Sequence, residues 1–149
     1  MSPDCVHWWI EHGGHTSSAR DLFFETDGWP GAPTFRILLD RFGIGWFADS
    51  GTLQLAVSRL DFETVKLLVE AGADVNERVT DWQTDIRENR AAPLPAMHEA
   101  VYAKSEEMIR YLAAHGAKVA RRNTYHDHNP RRLELKPYMD LVIELGAVE

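Results

Sequence analysis

The fold of this chain is decided by a stretch that it contains twice, first as LLVEAGADV at 67–75 and then as YLAAHGAKV at 111–119. A shorter motif precedes each copy, LQLA at 53–56 and MHEA at 97–100, so the two units are offset by 44 residues. A unit of this size cannot bury its apolar face alone and must stack on a neighbour. The repetition therefore predicts stacked units, an architecture used for binding more often than for catalysis.

Each unit is predicted to contain two short helices joined by a turn. In the first unit the apolar residues of the first helix recur at helical spacing, at Leu53, Ala56, Val57 and Leu60. The second helix has an apolar face at Val65, Leu68 and Val69. Gly72 and Gly116 follow the second helices, where we expect a left-handed C-cap because glycine adopts this conformation without steric cost.

These motifs resemble the ankyrin repeat. The MHEA motif is similar to the end of that family's T-P-L-H-x-A signature, with residues 95–96 at its Thr-Pro positions. The run 67–76 is similar to the family's second helix and its G-A-D-V-N turn. The resemblance implies an all-α, ankyrin-like helical repeat solenoid with short turns and one long insertion between two repeats.

Weaker copies of the second helix flank the two clear units, at 6–13, 35–43 and 141–147. The glycines that mark the helix ends are Gly13, Gly43, Gly72, Gly116 and Gly146. Their spacing is close to the ankyrin period of ~33 residues, except for the longer third step, which places an insertion at 77–94. The chain is predicted to be a single domain over 1–149. Clear repeats lie at about 51–76 and 95–120, and degenerate or capping units at 1–50 and 121–149.

The first helices depart from the family pattern in two ways. Gln54 stands where the signature has His, and the T-P-L-H hydrogen-bonded cap is predicted to be absent from the helix at 51–60. Leu60 and Lys104 occupy the position where the family usually has the glycine that ends the first helix. Because a side chain is strained in a left-handed turn, these helices are predicted either to run on or to end with strain.

Composition and charge limit the class of protein. With 149 residues, 44% hydrophobic and 26% charged, the chain suits one globular domain. A net charge of −7 argues against nucleic-acid binding, and no apolar run approaches the ~18 residues of a membrane span. A single cysteine suits a reducing compartment. We therefore expect an intracellular protein, cytoplasmic or nuclear, with no nucleic-acid or membrane partner.

The N-terminus carries a helix-start signal. Ser2 is a preferred N-cap, Pro3 suits the first helical position, and Asp4 complements the helix dipole. This helix corresponds to the second helix of a repeat. The chain is therefore expected to begin with a half-repeat that caps the array, or to be a fragment of a longer array. Trp8 and Trp9 would then be partly uncovered.

Two regions are candidates for partner binding. The insertion contains two apolar residues and one basic residue that suit an interface, Trp82, Ile86 and Arg87. The resemblance implies that the first helices line a groove, with Arg59 and Tyr102 at variable positions that carry recognition. The alternatives are that Trp82 folds back as a lid on the neighbouring repeat, and that the two groove residues are ordinary surface.

A basic stretch lies on this otherwise acidic chain. Between Lys118 and Lys136 there are six basic residues, Arg121 and Arg122 among them, against two acidic ones. This local excess of positive charge indicates an acidic protein partner. The alternative is a solvated loop with no partner.

Few residues of the sequence are candidates for a catalytic or metal-binding role. His126 and His128 lie two positions apart, but a structural zinc site wants four ligands, and the only thiol, Cys5, lies at the opposite end of the chain. Cys5 is expected to be a small, partly buried hydrophobic residue. No glycine-rich phosphate loop is present, and no cofactor is expected.

The sequence thus favours a non-catalytic protein–protein interaction module that binds through groove-lining helices and the insertion at 77–94. One alternative is a small enzyme or metal-binding domain that uses the loop with His126 and His128. Stoichiometric zinc or iron in the purified protein would favour it. The other alternative is a truncated piece of a longer ankyrin array.

Overall fold

The computed structural model describes residues 2–17, 19, 29–79, 93–120 and 132–149, except for the side chain of Arg132. Across these residues the chain is mostly helical, in agreement with the predicted all-α class, and no strand occurs among them. The isolated β-bridge within these ranges is parallel and pairs Val119 with Val148. None of the helices in the described ranges is long and apolar enough to cross a membrane.

The helices follow in the order α1 (Pro3–Glu11), α2 (Ala32–Phe42), a 3-10 helix (Ile44–Phe47), α3 (Thr52–Ser58), α4 (Phe62–Glu70), α5 (Ala96–Tyr102), α6 (Glu106–Ala114) and α7 (Arg132–Glu144). Helices α5 and α6 have the bounds of α3 and α4 shifted by 44 residues, so the two sequence copies form the same helix pair. The helices of each pair pack together, and the first helices, α3 and α5, pack side by side. Helix α2 packs on α1 and α4, and α7 packs on α5 and α6.

Helices α1, α4 and α6 begin with the same capping bond. Ser2, Asp61 and Ser105 each accept, through a side-chain oxygen, from the backbone N–H three residues on, at 3.3, 3.2 and 3.2 Å. The predicted helix start at Ser2 is therefore confirmed. The N-caps of α3 and α5, Gly51 and Pro95, make no side-chain capping bond, as predicted for the helix at 51–60. A side-chain cap contributes ~1 kcal/mol to the stability of a helix. The first helices lack such a cap, so they depend more on packing than the second helices do.

The first helices end at a left-handed residue that is not glycine. The φ angle is 57° at Leu60 and 55° at Lys104. The amide of the next residue donates to the carbonyl five residues back, Ala56 at 3.0 Å in one pair and Ala100 at 3.3 Å in the other. Of the two predicted outcomes, the helices therefore end with strain and do not run on, since this conformation costs a side-chain-bearing residue ~1 kcal/mol or more.

Glycines end the second helices, as predicted. The φ angle is 105° at Gly72 and 85° at Gly116. The next amide donates to the carbonyl of Leu68 in α4 and of Leu112 in α6, at 3.0 Å in each case. Both predicted left-handed C-caps are confirmed, and they close the helices in the same way as the strained residues close α3 and α5.

The turns that follow α4, α6 and α7 are tied to one another. Asn76 donates through Nδ2 to the carbonyl of Gly116 at 2.9 Å and accepts through Oδ1 from the N–H of Lys118 at 2.8 Å. The N–H and carbonyl of Val119 are bonded to the turn at 147–149, at 2.8 and 3.0 Å. These bonds fix the register of each turn against the next, because they leave little freedom to slide.

The core runs through corresponding positions of α4, α6 and α7. Leu68, Leu112 and Val142 each lie four residues before a marker glycine, and none is more than 1% exposed. Val75 and Val119, which follow two of these glycines, are buried as well. The repeated apolar positions of the sequence therefore become one continuous core across the helix pairs.

Aromatic packing holds the N-terminal part of the core. The ring centroids of Phe42 and Trp46 lie 4.6 Å apart, and those of Phe35 and Phe47 lie 6.1 Å apart. Trp46 also donates through Nε1 to the carbonyl of Thr16 at 3.0 Å, which ties the segment after α1 to the core. Aromatic pairs stabilise a core by ~0.5–1.5 kcal/mol beyond the effect of their buried area. In this part of the core, aromatic rings take the place that aliphatic side chains have in the two clear helix pairs.

The exposure of side chains on α1 agrees with the sequence prediction at Trp8 and differs from it at Cys5. Trp8 is 61% exposed, as predicted for an uncovered first helix. Cys5 is exposed, whereas the sequence predicted a partly buried thiol. The reason is that α1 packs mainly against α2 among the described helices, and Val6 is its single fully buried residue.

Candidate interaction surface

Arg59, a predicted groove residue, is the C-cap of α3 and is exposed. Its guanidinium carbon lies 5.2 Å from the ring centroid of Trp29, within cation–π range. The indole Nε1 of Trp29 donates to Oδ2 of Asp61 at 2.8 Å. The exposed arginine therefore rests on a ring that the fold itself fixes.

The Asp61 carboxylate organises the corner of the molecule that is formed by Trp29, Arg59, Asp61 and Thr64. Besides the indole, it accepts from the N–H of Thr64 at 3.2 Å and from the hydroxyl of Thr64 at 2.6 Å. One carboxylate thus caps α4 and holds the ring beneath Arg59. The packing of Trp29 on Phe35, with centroids 4.9 Å apart, links the corner to the core.

Tyr102, the other predicted groove residue, is the last residue of α5 and is half-buried against the core. Its position corresponds along the repeat to the exposed Ser58, so the two lie at matching ends of neighbouring helices. A half-buried tyrosine offers an apolar ring and a polar hydroxyl, the combination that favours interface contacts.

Glu99 lies on α5 close to the insertion. Its Oε1 accepts from the backbone N–H of Leu94 at 2.9 Å. Burial raises the pKa of the Glu99 carboxyl above its ordinary value, and the bond from Leu94 lowers this pKa in part. The carboxylate therefore anchors the end of the insertion at some cost in desolvation.

An aromatic cluster lies on the outer helices. The rings of Phe62 in α4 and Tyr111 in α6 meet edge-on with centroids 5.2 Å apart, and His115 lies 4.3 Å from Tyr111. The Nζ of Lys66 lies 4.5 Å from the ring centroid of Phe62. Burial, together with the Glu70 carboxylate, raises the pKa of Tyr111. The cluster covers the seam between the two helix pairs.

An open apolar cavity of about 210 Å³ lies between the 3-10 helix and the turn after α4. Its apolar wall is formed mainly by Ile44, Phe47, Leu53 and Leu68. Two acidic residues, Asp74 and Glu77, line the same cavity. It is a small concave apolar surface with acidic residues beside it.

The remaining predicted contact residues lie outside the described part of the chain. These are Trp82, Ile86 and Arg87 of the insertion and Arg121 and Arg122 of the basic stretch. His126 and His128, on which the metal alternative depends, lie outside it too. Within the described ranges no group of three His, Cys, Asp or Glu residues is placed to hold a metal ion.

No protein-family model, curated protein or solved structure matches this chain. Sequence reasoning missed the corner built by Trp29 and Asp61, because the two are 32 residues apart and no motif joins them. It missed the cavity as well, since a space between two turns depends on how far apart they pack. The capping role of Asp61 carried a local signal, an acidic residue directly before an amphipathic helix.

Proposed function

We propose that this protein is a non-catalytic protein–protein interaction module built as an ankyrin-type repeat array. The observation that carries the proposal is the agreement between the two sequence copies and their helices. Helix bounds, N-caps and left-handed turns all recur at the same offset of 44 residues. Repeated units of this kind present extended surfaces whose side chains vary without disturbing the core, which suits recognition.

The binding surface in this proposal comprises the ends of α3 and α5 together with the insertion at 77–94. Arg59 is supported from below by Trp29, so little side-chain entropy is lost when a partner pairs with its guanidinium. Tyr102 adds a rigid aromatic surface on the neighbouring helix. The insertion contributes Trp82, Ile86 and Arg87, which lie outside the described residues.

The proposed partner is a protein with acidic groups at its contact surface, and the proposed location is inside the cell. The support for an acidic partner is the basic stretch that contains Arg121 and Arg122, which opposes the net charge of −7 of the whole chain. Opposite charges of this kind raise the rate of association and the specificity more than the affinity itself.

Three alanine variants test the proposed surface. Proteins captured by the intact chain from a cell lysate are compared with those captured by Arg59→Ala, by Tyr102→Ala and by Arg110→Ala. Arg110 is the matched control, because it lies on the outer helix α6 and pairs with Glu106 at 2.8 Å. We expect the partner to be lost roughly tenfold or more with either groove variant and to be retained with the control, as for interface hot spots. Equal capture by all four proteins would refute the assignment of this surface.

A further inference from the structure

The cavity beside the 3-10 helix is large enough to hold a partner's side chain. Its volume is about 210 Å³. An apolar cavity of ~150 Å³ accommodates a benzene-sized molecule, so a leucine or phenylalanine side chain fits here. Of its apolar lining, Phe47, Leu53 and Leu68 are buried, so the inner wall belongs to the core and is fixed in place.

The mouth of the cavity is open to solvent. Gly45 and Gly72 both line it, and both are exposed. A Cβ added at either glycine would meet no atom of the described chain within 4 Å. The space beside both glycines is therefore free of described atoms, as the entrance to a preformed site requires.

The charged residues in the described part of the cavity lining have one sign. They are Asp74 and Glu77, and no basic residue belongs to that part of the lining. The turn that carries them is held by its own bonds, since Asp74 Oδ1 accepts from the N–H of Asn76 at 2.9 Å and the Glu77 carbonyl accepts from Nε2 of Gln54 at 3.1 Å. The Asp74 carboxylate and the backbone of Glu77 are therefore held in place next to an apolar opening.

We propose that this cavity is a binding site for a basic peptide segment of a partner protein. One aliphatic or aromatic side chain of the segment fills the cavity, and flanking lysine or arginine side chains pair with Asp74 and Glu77. An acidic or purely apolar segment is disfavoured, because it would repel or desolvate the two carboxylates without compensation. Apart from Glu77, which begins the insertion, no residue of the described cavity lining belongs to the surface proposed above, so the site goes beyond that surface.

Three synthetic decapeptides test the proposal. The first has a central leucine flanked by lysines, the second replaces this leucine by alanine, and the third replaces the lysines by glutamates. Binding to the full chain is measured by fluorescence polarisation at low salt, and amide NMR shifts locate the site. We expect the first peptide to bind and to shift the amides of 44–48 and 72–77. We expect the alanine peptide to bind at least ~10-fold more weakly and the glutamate peptide not to bind.

Variants of the chain distinguish binding in the cavity from a general attraction of the peptide to negative charge. Gly45→Leu fills the opening and is expected to abolish binding of the first peptide, with an unchanged circular dichroism spectrum as the check of folding. Asp74→Asn with Glu77→Gln keeps the polar shape, and we expect it to weaken binding roughly fivefold per carboxylate removed. The matched control is Glu63→Gln with Glu107→Gln, two exposed carboxylates on the outer helices, which we expect to leave the affinity unchanged.

Four results would overturn the proposal. They are no binding of the leucine–lysine peptide at millimolar concentration, equal binding of the alanine peptide, equal binding of the glutamate peptide, and equal weakening by the control variant. If Gly45→Leu fails to fold, the comparison of the two double variants decides the question instead. Because these measurements use no cellular partner, a failure here leaves the test of Arg59 and Tyr102 unaffected.

Discussion

At the scale of the residue, the turn inside each helix pair holds a side chain in a conformation that glycine adopts more readily. Leu60 and Lys104 have φ angles of 57° and 55°, and both close a first helix through the same backbone bond. Lys104 has a second role, since its Nζ lies 3.0 Å from Oε2 of Glu134 in α7. This ion pair is exposed and contributes little, so strain is the larger of the two effects.

Replacement of Leu60 by glycine is expected to stabilise the protein. The Leu60 side chain is 51% exposed, so its removal loses little burial, while the left-handed backbone is relieved. We expect Leu60→Gly to raise the free energy of unfolding by about 1 kcal/mol, net of the greater flexibility of glycine in the unfolded chain. Urea denaturation measures the change. Leu60→Ala is the control, because it removes the same side chain and keeps the Cβ. A gain with alanine equal to that with glycine would contradict the explanation.

Glu99 is expected to make the stability depend on pH. Its folded-state pKa is raised, mainly by burial, so the folded protein holds this proton more tightly than the unfolded chain does. Stability therefore falls as the pH rises from the unfolded pKa, near 4.5, through the raised folded pKa. Glu99→Gln keeps an acceptor for the Leu94 N–H and carries no charge. We expect it to stabilise the protein more at pH 7.5 than at pH 4, measured by urea denaturation. An equal effect at both values would show that Glu99 does not carry this dependence.

At the scale of the element, the second helices depend on their N-caps to different extents. Ser105 makes one capping bond, to the N–H of Met108. Asp61 caps α4, and it also accepts from the Thr64 hydroxyl and from the Trp29 indole. The start of α4 is therefore tied to the N-terminal aromatic core, whereas the start of α6 is held by a local bond alone among those described.

We expect the two caps to differ when they are removed. Ser105→Ala should lower the free energy of unfolding by about 1 kcal/mol, and Asp61→Ala by about 2 kcal/mol or more, because the latter leaves the indole N–H without its acceptor. Thermal and urea unfolding measure both changes. Asp61→Asn, which keeps one side-chain oxygen, should lie between Asp61→Ala and the parent protein. Equal losses for the two alanine variants would mean that the bond to Trp29 is not important for stability.

The helices could be predicted from the sequence, whereas the contacts between distant segments could not. The copies at 67–75 and 111–119 carry periodic apolar residues and a final glycine, local signals that fix a helix and its end. The outcome at Leu60 was open in the sequence, because propensity alone does not say whether packing will force a left-handed turn. The position of Arg59 on Trp29 and the cavity depend on distant segments that pack together, so no local pattern predicted either.

At the scale of the whole molecule, neighbouring units are joined by core contacts and by the bonds between their turns. Asn76 bridges to the turn at 116–118, and Val119 bridges to the turn at 147–149. The insertion at 77–94 lies in sequence between the two clear helix pairs, so a change confined to residues 80–92 keeps the residues that make the described contacts on either side.

The most direct test of the binding role replaces residues 80–92 by a short turn and compares the variant with the intact chain in affinity capture from cell lysate. This replacement keeps Gln54 bonded to Glu77 and Leu94 bonded to Glu99, so both ends of the insertion stay anchored. Circular dichroism and the melting temperature check that the helices are intact. We predict a specific protein partner that the intact chain retains and that the variant loses by roughly tenfold or more, as for the removal of an interface hot spot. Capture of the same proteins in equal amounts by both chains, or no specific capture by the intact chain, would contradict the account.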